Sequence, residues 1–321
     1  MLLEIDDLSV EFPTAQGPVH ALRHVSLTVP RGRIVGLVGE SGSGKSTLSL
    51  AIPQLLAPNA RITGGTIRLD GVELLALPEA KIRALRGQRI AMVFQDPMSS
   101  LNPVLSIGTQ MADIQFRDAA LSRRAKRTRA IALLVRVGIP DAARRIDDYA
   151  HQFSGGMRQR IAIAMALSGN PDLLIADEPT TALDVTLEAQ ILDLLRDLRR
   201  DFDGAILLVS HQLGVIAELC DDVVVLYAGE IVERGPVAAI FARPSHPYTR
   251  ALLDCDPGRL AIGADQFPTI EGQLPDLADI TPGCIFAPRC KLAMARCHRE
   301  APTPVHLAPD HRASCHLLGD G

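Results

Sequence analysis

Apolar positions along the chain fall into two kinds of run. Leu8-Ser-Val-Glu-Phe12 and Val25-Ser-Leu-Thr-Val29 alternate with polar residues, as strands with one buried face do. Ile34-Val-Gly-Leu-Val38, Ile90-Ala-Met-Val-Phe94, Leu173-Leu-Ile-Ala176, Ile206-Leu-Leu-Val209 and Val223-Val-Val-Leu-Tyr227 are short and continuous, as strands covered on both faces are. Between them lie runs with helical spacing: Thr47 to about Leu56, stopping near Pro58, and the amphipathic stretch Leu187 to Arg200. Gly64 to Gly71 predicts a hairpin with its turn at Asp70-Gly71. Strands alternating with helices predict a largely parallel α/β sheet.

Two stretches depart from this rhythm. Residues 104 to 168 are rich in Ala, Arg, Leu and Met and poor in strand patterns, which predicts a helical subdomain. Within it Arg123, Arg124, Lys126, Arg127 and Arg129 form a basic run, read as a solvated helix face, with a phosphate or acidic-partner site as the alternative. From about 244 prolines cluster and periodicity fades, so a boundary is placed there, giving parts 1–245 and 246–321. A length of 321 residues agrees with two domains at about 150 residues each.

Composition narrows the class. With 47% hydrophobic and 22% charged residues the chain can bury a core. A formal charge of -4 and 3% aromatic residues offer neither a basic field nor stacking platforms, so nucleic acid is not an expected partner. No apolar run approaches the ~18 residues of a membrane helix. The start, Met1-Leu-Leu-Glu-Ile-Asp6, has no basic n-region, so a soluble, cytosolic protein without a secretory signal is expected.

The strongest chemical signal is Gly39-Glu40-Ser41-Gly42-Ser43-Gly44-Lys45-Ser46-Thr47, between a predicted strand and a predicted helix. Its glycines let successive backbone N–H groups face a phosphate chain, and the helix turns its positive end to the same anion. Lys45 is expected at the β- and γ-phosphates and the Ser46 hydroxyl on magnesium. Leu173 to Glu178 delivers two carboxylates at a strand end: Asp177 for magnesium, and Glu178 to orient or deprotonate the attacking water. Strand alternation is expected to make these two side chains diverge. Ser154-Gly155-Gly156 opens a further helix-like run and makes a second anion site, read as addressing a nucleotide held by a partner subunit.

With these motifs in order over residues 1–245, the chain resembles the ATP-binding subunits of ABC transporters. The resemblance implies a P-loop ATPase core with an inserted helical subdomain and an antiparallel N-terminal β-subdomain. It also implies roles: Phe12 against adenine, Gln95 on magnesium and water, Ser154 to Gly156 as the signature closing over the partner's ATP, Asp184 in the loop that crosses the dimer interface, and His211 at the γ-phosphate. Phe153 and Gln212 stand where the family commonly has Leu and Asp. Asp96 to Pro103 and Ser245-His-Pro-Tyr-Thr-Arg-Ala-Leu-Leu253 resemble segments of the dipeptide, oligopeptide and nickel importer group. The implied partners are two transmembrane permease subunits, a second ATPase subunit and, indirectly, an extracytoplasmic solute-binding protein, at the cytoplasmic face of the inner membrane. A nickel, opine or glutathione-type importer, or a non-transport ABC ATPase, is the alternative.

Four of the six cysteines, Cys284, Cys290, Cys297 and Cys315, lie in the last 38 residues. Disulfides are disfavoured in the cytosol, and the spacing is not that of a zinc finger. Four thiolates in a Pro-rich, weakly patterned stretch suggest a metal centre that supplies folding energy. The resemblance implies that this small irregular C-terminal extension holds a 4Fe-4S cluster; zinc, or buried thiols without metal, stay open.

Overall fold

The computed structural model describes residues 1–95, 100–117, 120–181, 184–256, 258, 268–280 and 282–319. It divides into two compact units, residues 1–76 with 208–321, and residues 77–207.

The first unit opens with strands β1 (Leu3–Thr14) and β2 (Gly17–Val29), paired antiparallel from Leu3↔Val29 to Thr14↔Gly17. β3 (Ile34–Val38) is buried at every residue, as its unbroken apolar run requires. Helix α1 (Lys45–Ala51) starts two residues before the predicted Thr47 and ends five before Leu56. Pro53 cannot donate the backbone hydrogen bond that a longer helix needs, and Gln54 takes φ 54°. β4 (Arg61–Leu69) pairs with β1 and turns back into β5 (Val72–Glu73), completing an antiparallel sheet of order β2-β1-β4-β5. The turn falls on Asp70 (φ 51°) and Gly71 (φ 77°), the left-handed pair that matches strand twist in a two-residue hairpin.

The second unit runs α2 (Glu79–Leu85), β6 (Ile90–Val93), α3 (Ile107–Ile114), α4 (Arg123–Arg136), α5 (Ala142–Arg145), α6 (Gly155–Leu167), β7 (Leu173–Asp177) and α7 (Val185–Asp201). β6 and β7 pair in parallel, Ile90↔Leu173 through Val93↔Ala176. Ser106, Ser122, Ser154 and Asp184 each accept a backbone N–H in the first turn of α3, α4, α6 and α7. Each such cap stabilises its helix by about 1 kcal/mol. Two members of the basic run on α4 are tied down locally: Arg127 grips Asp147 through two 2.7 Å bonds, and Lys126 donates to the Gln115 carbonyl. Strand β8 (Ala205–Val209) carries the chain across the division.

The chain then adds α8 (Leu213–Leu219), β9 (Asp222–Tyr227), β10 (Glu230–Pro236), α9 (Val237–Ala242), α10 (Pro247–Asp254), β11 (Pro304–Ala308) and β12 (His311–Ser314) to the first unit. β9 lies parallel to β3, and β10, β12 and β11 follow antiparallel, in the order β11-β12-β10-β9-β3. The C-terminal stretch is therefore more regular than its Pro-rich composition predicts. Two of its segments continue a sheet, where cross-strand pairing supplies the order that local periodicity does not show.

Glu233 on β10 secures that addition. Its side chain is fully buried and accepts from the backbone N–H of Ser245 and of His246, and pairs with His311 Nε2 on β12 at 2.8 Å. His246 is itself buried, with Nδ1 accepting from the Tyr248 N–H, and burial pushes its pKa down to about 3. The folded chain thus holds this ring neutral where an unfolded chain protonates it, between pH 6.5 and about 3. Stability from this site is full above pH 6.5 and falls by about 1.4 kcal/mol per pH unit below it. Urea titrations at pH 6, 5 and 4 should show His246→Asn with a pH slope shallower by about that amount. Equal slopes would contradict the assignment.

Candidate functional site

The loop from Gly39 to Thr47 leaves β3 and enters α1, and its glycines are required by the path. Gly44 takes φ 103°, and a Cβ there would stand 2.6 Å from the Ala21 carbonyl; at Gly39 (φ 157°) a Cβ would collide with the Leu226 carbonyl. Lys45 is buried and donates from Nζ to the carbonyls of Gly39 (2.8 Å) and Glu40 (2.9 Å), so the ammonium is held under the loop. Ser43 Oγ is buried with no hydrogen-bond partner among the described residues, an orphan polar atom within the phosphate-type loop. Ser46 is exposed on the first turn of α1. Phe12 is half-buried on β1 opposite Val19, and His211 is exposed just beyond β8.

In the second unit Asp177 ends β7 and is buried. Glu178 follows with φ 48°, in the left-handed region. Glu178 thus lies on a backbone turn beyond the strand end and not on the strand along which alternation was expected. Holding a non-glycine residue there costs about 1–3 kcal/mol, a strain that clusters at functional sites. Gln95 Nε2 donates to Glu178 Oε2 at 2.9 Å, and Thr181 Oγ1 donates to the same oxygen at 2.8 Å. Thr181 opens the stretch Thr181 to Asp184 that the resemblance assigns to the loop crossing the dimer interface; its bond to Glu178 is a contact that the sequence did not announce. Asp96 to Ser99 of the segment following Gln95, and Ala182 and Leu183 of the stretch before Asp184, lie outside the described residues.

Ser154 caps α6 by accepting the Met157 N–H at 3.3 Å. Among the described residues a Cβ on Gly155 would meet nothing within 4 Å, whereas a Cβ on Gly156 would stand 2.7 Å from the Leu187 side chain. Phe153 is buried beneath the Arg145 guanidinium, 4.2 Å from the ring centre, which explains an aromatic residue in that position. Asp184 caps α7 through the Leu187 N–H at 2.9 Å.

Cys284, Cys290, Cys297 and Cys315 line one small cavity with His246, Phe286, Leu292 and Leu317, and none is in a disulfide. Burial pushes the Cys284 thiol up to about 11 and raises Cys290 and Cys315. Among the described residues no group of three or more His, Cys, Asp or Glu side chains is arranged around a single metal ion. No helix among them is long and apolar enough to cross a membrane.

A strand, a glycine loop over a lysine, and a second strand ending in paired carboxylates define an ATP-binding cassette. The ABC transporter family matches residues 22–181, and the oligopeptide/dipeptide transporter C-terminal region matches residues 232–297. The oligopeptide transport ATP-binding protein OppD of Salmonella typhimurium is 46% identical, covering 98% of this chain and 93% of that protein. The dipeptide transport ATP-binding protein DppD of Bacillus subtilis is 45% identical over 98% and 94%. Among solved structures, a dimeric ATP-binding cassette in a post-hydrolysis state with ADP and phosphate superposes with TM-score 0.66 at 27% identity, covering 73% of this chain and 98% of that one. The cbiO1 subunit from Clostridium perfringens gives TM-score 0.64 at 27% identity, over 75% and 91%. The chain belongs to the ATP-hydrolysing subunits of ABC transporters.

Proposed function

We propose that this chain energises the import of peptides, or of a related small solute, through membrane permease partners at the cytoplasmic face of the inner membrane. The observation that carries this reading is near-complete alignment with two peptide-transport subunits, together with the match of residues 232–297 to the oligopeptide/dipeptide transporter C-terminal region. A nucleotide-binding domain over 1–245 with an appended extension over 246–321 fits the same group.

ATP is hydrolysed by in-line attack of water, and the protein contributes position and charge. Lys45 carries the β- and γ-phosphates, together with the backbone of Gly39 to Thr47, and Phe12 stacks on adenine. Glu178 polarises the water and takes its proton, positioned by Gln95 and Thr181, which both donate to its Oε2. His211 contacts the γ-phosphate. Ser46, Gln95 and Asp177 are hard oxygen donors of the kind magnesium takes, and that ion, when bound, neutralises charge on the phosphates. Ser154 is exposed and Gly155 open, Gly156 is buried beneath them, and the three serve the ATP of a second ATPase subunit, with Asp184 ordering the adjoining helix.

We also propose that Cys284, Cys290, Cys297 and Cys315 hold a 4Fe-4S cluster. The four thiols line one small cavity, and four Cys is the usual ligand set of such a cluster; zinc on the same four is the alternative. The raised pKa values of Cys284, Cys290 and Cys315 mean that metal binding displaces protons from these three.

One anaerobic purification from a native membrane extract tests both proposals. The chain should be retained with hydrophobic membrane proteins and not on nucleic acid, and should contain iron. Retention on nucleic acid would remove the transport reading, and stoichiometric zinc without iron would remove the cluster.

A further inference from the structure

Glu40, the second residue of the phosphate loop, is gripped on every side. Its carbonyl accepts from Lys45 Nζ at 2.9 Å and from the Ser43 N–H at 3.1 Å. Its N–H donates to the Tyr248 hydroxyl at 2.9 Å. Its carboxylate takes both arms of Arg289, Nη1 to Oε2 at 2.6 Å and Nη2 to Oε1 at 3.1 Å. Tyr248 and Arg289 both belong to the C-terminal stretch, and Arg289 lies 249 positions from its partner.

Arg289 is no loose surface cation. Its side chain is 4% exposed, and it also donates to the Glu271 and Ile270 carbonyls and to the Tyr227 hydroxyl. It ends a short 3-10 turn, Ala287–Arg289, set between two of the cysteines. That turn is stapled by Ala287 N–H to the Cys284 carbonyl and Cys290 N–H to the Ala287 carbonyl. Tyr227, Tyr248 and Phe286 pack against one another beside it, with ring centres 4.5 to 5.4 Å apart. A planar guanidinium clamped on a carboxylate in two places fixes orientation as well as distance. Fixing Glu40 fixes one of the two carbonyls that hold the Lys45 ammonium.

We propose that Arg289 is a positioning residue for ATP hydrolysis: through Glu40 it sets the phosphate loop and Lys45, and so ties the nucleotide site to the cysteine-bearing turn. This rests on the reading of residues 39–47 as the phosphate loop. Loss of the clamp loosens the loop that receives ATP and leaves Gln95, Thr181 and Glu178 untouched, so it acts on KM more than on kcat.

The test is steady-state ATPase of the full chain with its co-purified partners, titrated with MgATP. Arg289→Ala should raise KM about tenfold, with kcat within about twofold, measured well below its own thermal midpoint. Glu40→Ala should do the same, and the double variant should be no worse than either single one. Exchange of the charges, Glu40→Arg with Arg289→Glu, should restore KM to within about threefold of the parent. An unchanged KM in Arg289→Ala, or effects that multiply in the double variant, would overturn the proposal. Should Arg289→Ala fail to fold, Arg289→Lys keeps the charge but not the fork and should raise KM about threefold; no rise there overturns it equally. Lys45→Ala in the same titration separates the two readings. An unaltered KM there removes the phosphate-loop assignment, whereas an altered KM there beside an unaltered one in Arg289→Ala removes only the role of Arg289.

Discussion

Glu178→Gln is expected to bind MgATP as the parent does and to lose turnover by about a thousandfold, the contribution of a positioned general base. The substitution keeps the size of the side chain and an oxygen for Gln95 Nε2 and Thr181 Oγ1 to address. It removes the second carboxylate oxygen, and with it the acceptor for the water's proton. Because Glu178 already sits at φ 48°, the backbone strain is the same in both proteins, so a loss of rate cannot be assigned to a shifted loop. Single-turnover hydrolysis beside an equilibrium nucleotide titration separates the two steps. Near-normal hydrolysis would show that another group accepts the proton.

Lys45→Ala should act on the other step and weaken MgATP binding itself by about a hundredfold. Hydrogen bonds to charged groups contribute about 1.5–3 kcal/mol, and the upper value corresponds to two decades of affinity. The loss has two sources. The phosphates lose their cation, and the carbonyls of Gly39 and Glu40 lose the buried donor that draws the loop together. A calorimetric titration with MgATP reads the effect directly, and an unchanged affinity would contradict the role given to Lys45. The two variants form a contrast: binding kept and turnover lost in one, binding lost in the other.

Much of this site could be read along the chain because its logic is local. A glycine loop ending in Lys-Ser between an apolar strand and a helix needs only nine adjacent residues to specify it. The Asp70-Gly71 turn and the continuous runs of β3, β7 and β8 follow from single-residue φ preferences and from burial on two faces, and each appears where the pattern places it. The C-terminal stretch behaved differently. Its prolines hide strands β11 and β12, whose order comes from pairing with β10 and not from their own periodicity.

Glu233, His246 and Arg289 show where local reading stops. Nothing near Glu233 announces that it receives His311 from 78 positions away, and nothing near Glu40 announces Arg289. Such pairs depend on which side chains two distant segments present to each other once both are packed. The same holds for Glu178, whose left-handed turn is held by Gln95 from another strand's end as well as by its neighbour Thr181. Residue order alone specified the glycine loop, the strand and helix alternation and the crowding of cysteines, because each is encoded in neighbours. The clamp on that loop, the poise of the carboxylate and the cavity shared by four thiols arose only on folding, because burial and hydrogen-bond satisfaction are properties of segments brought together in space.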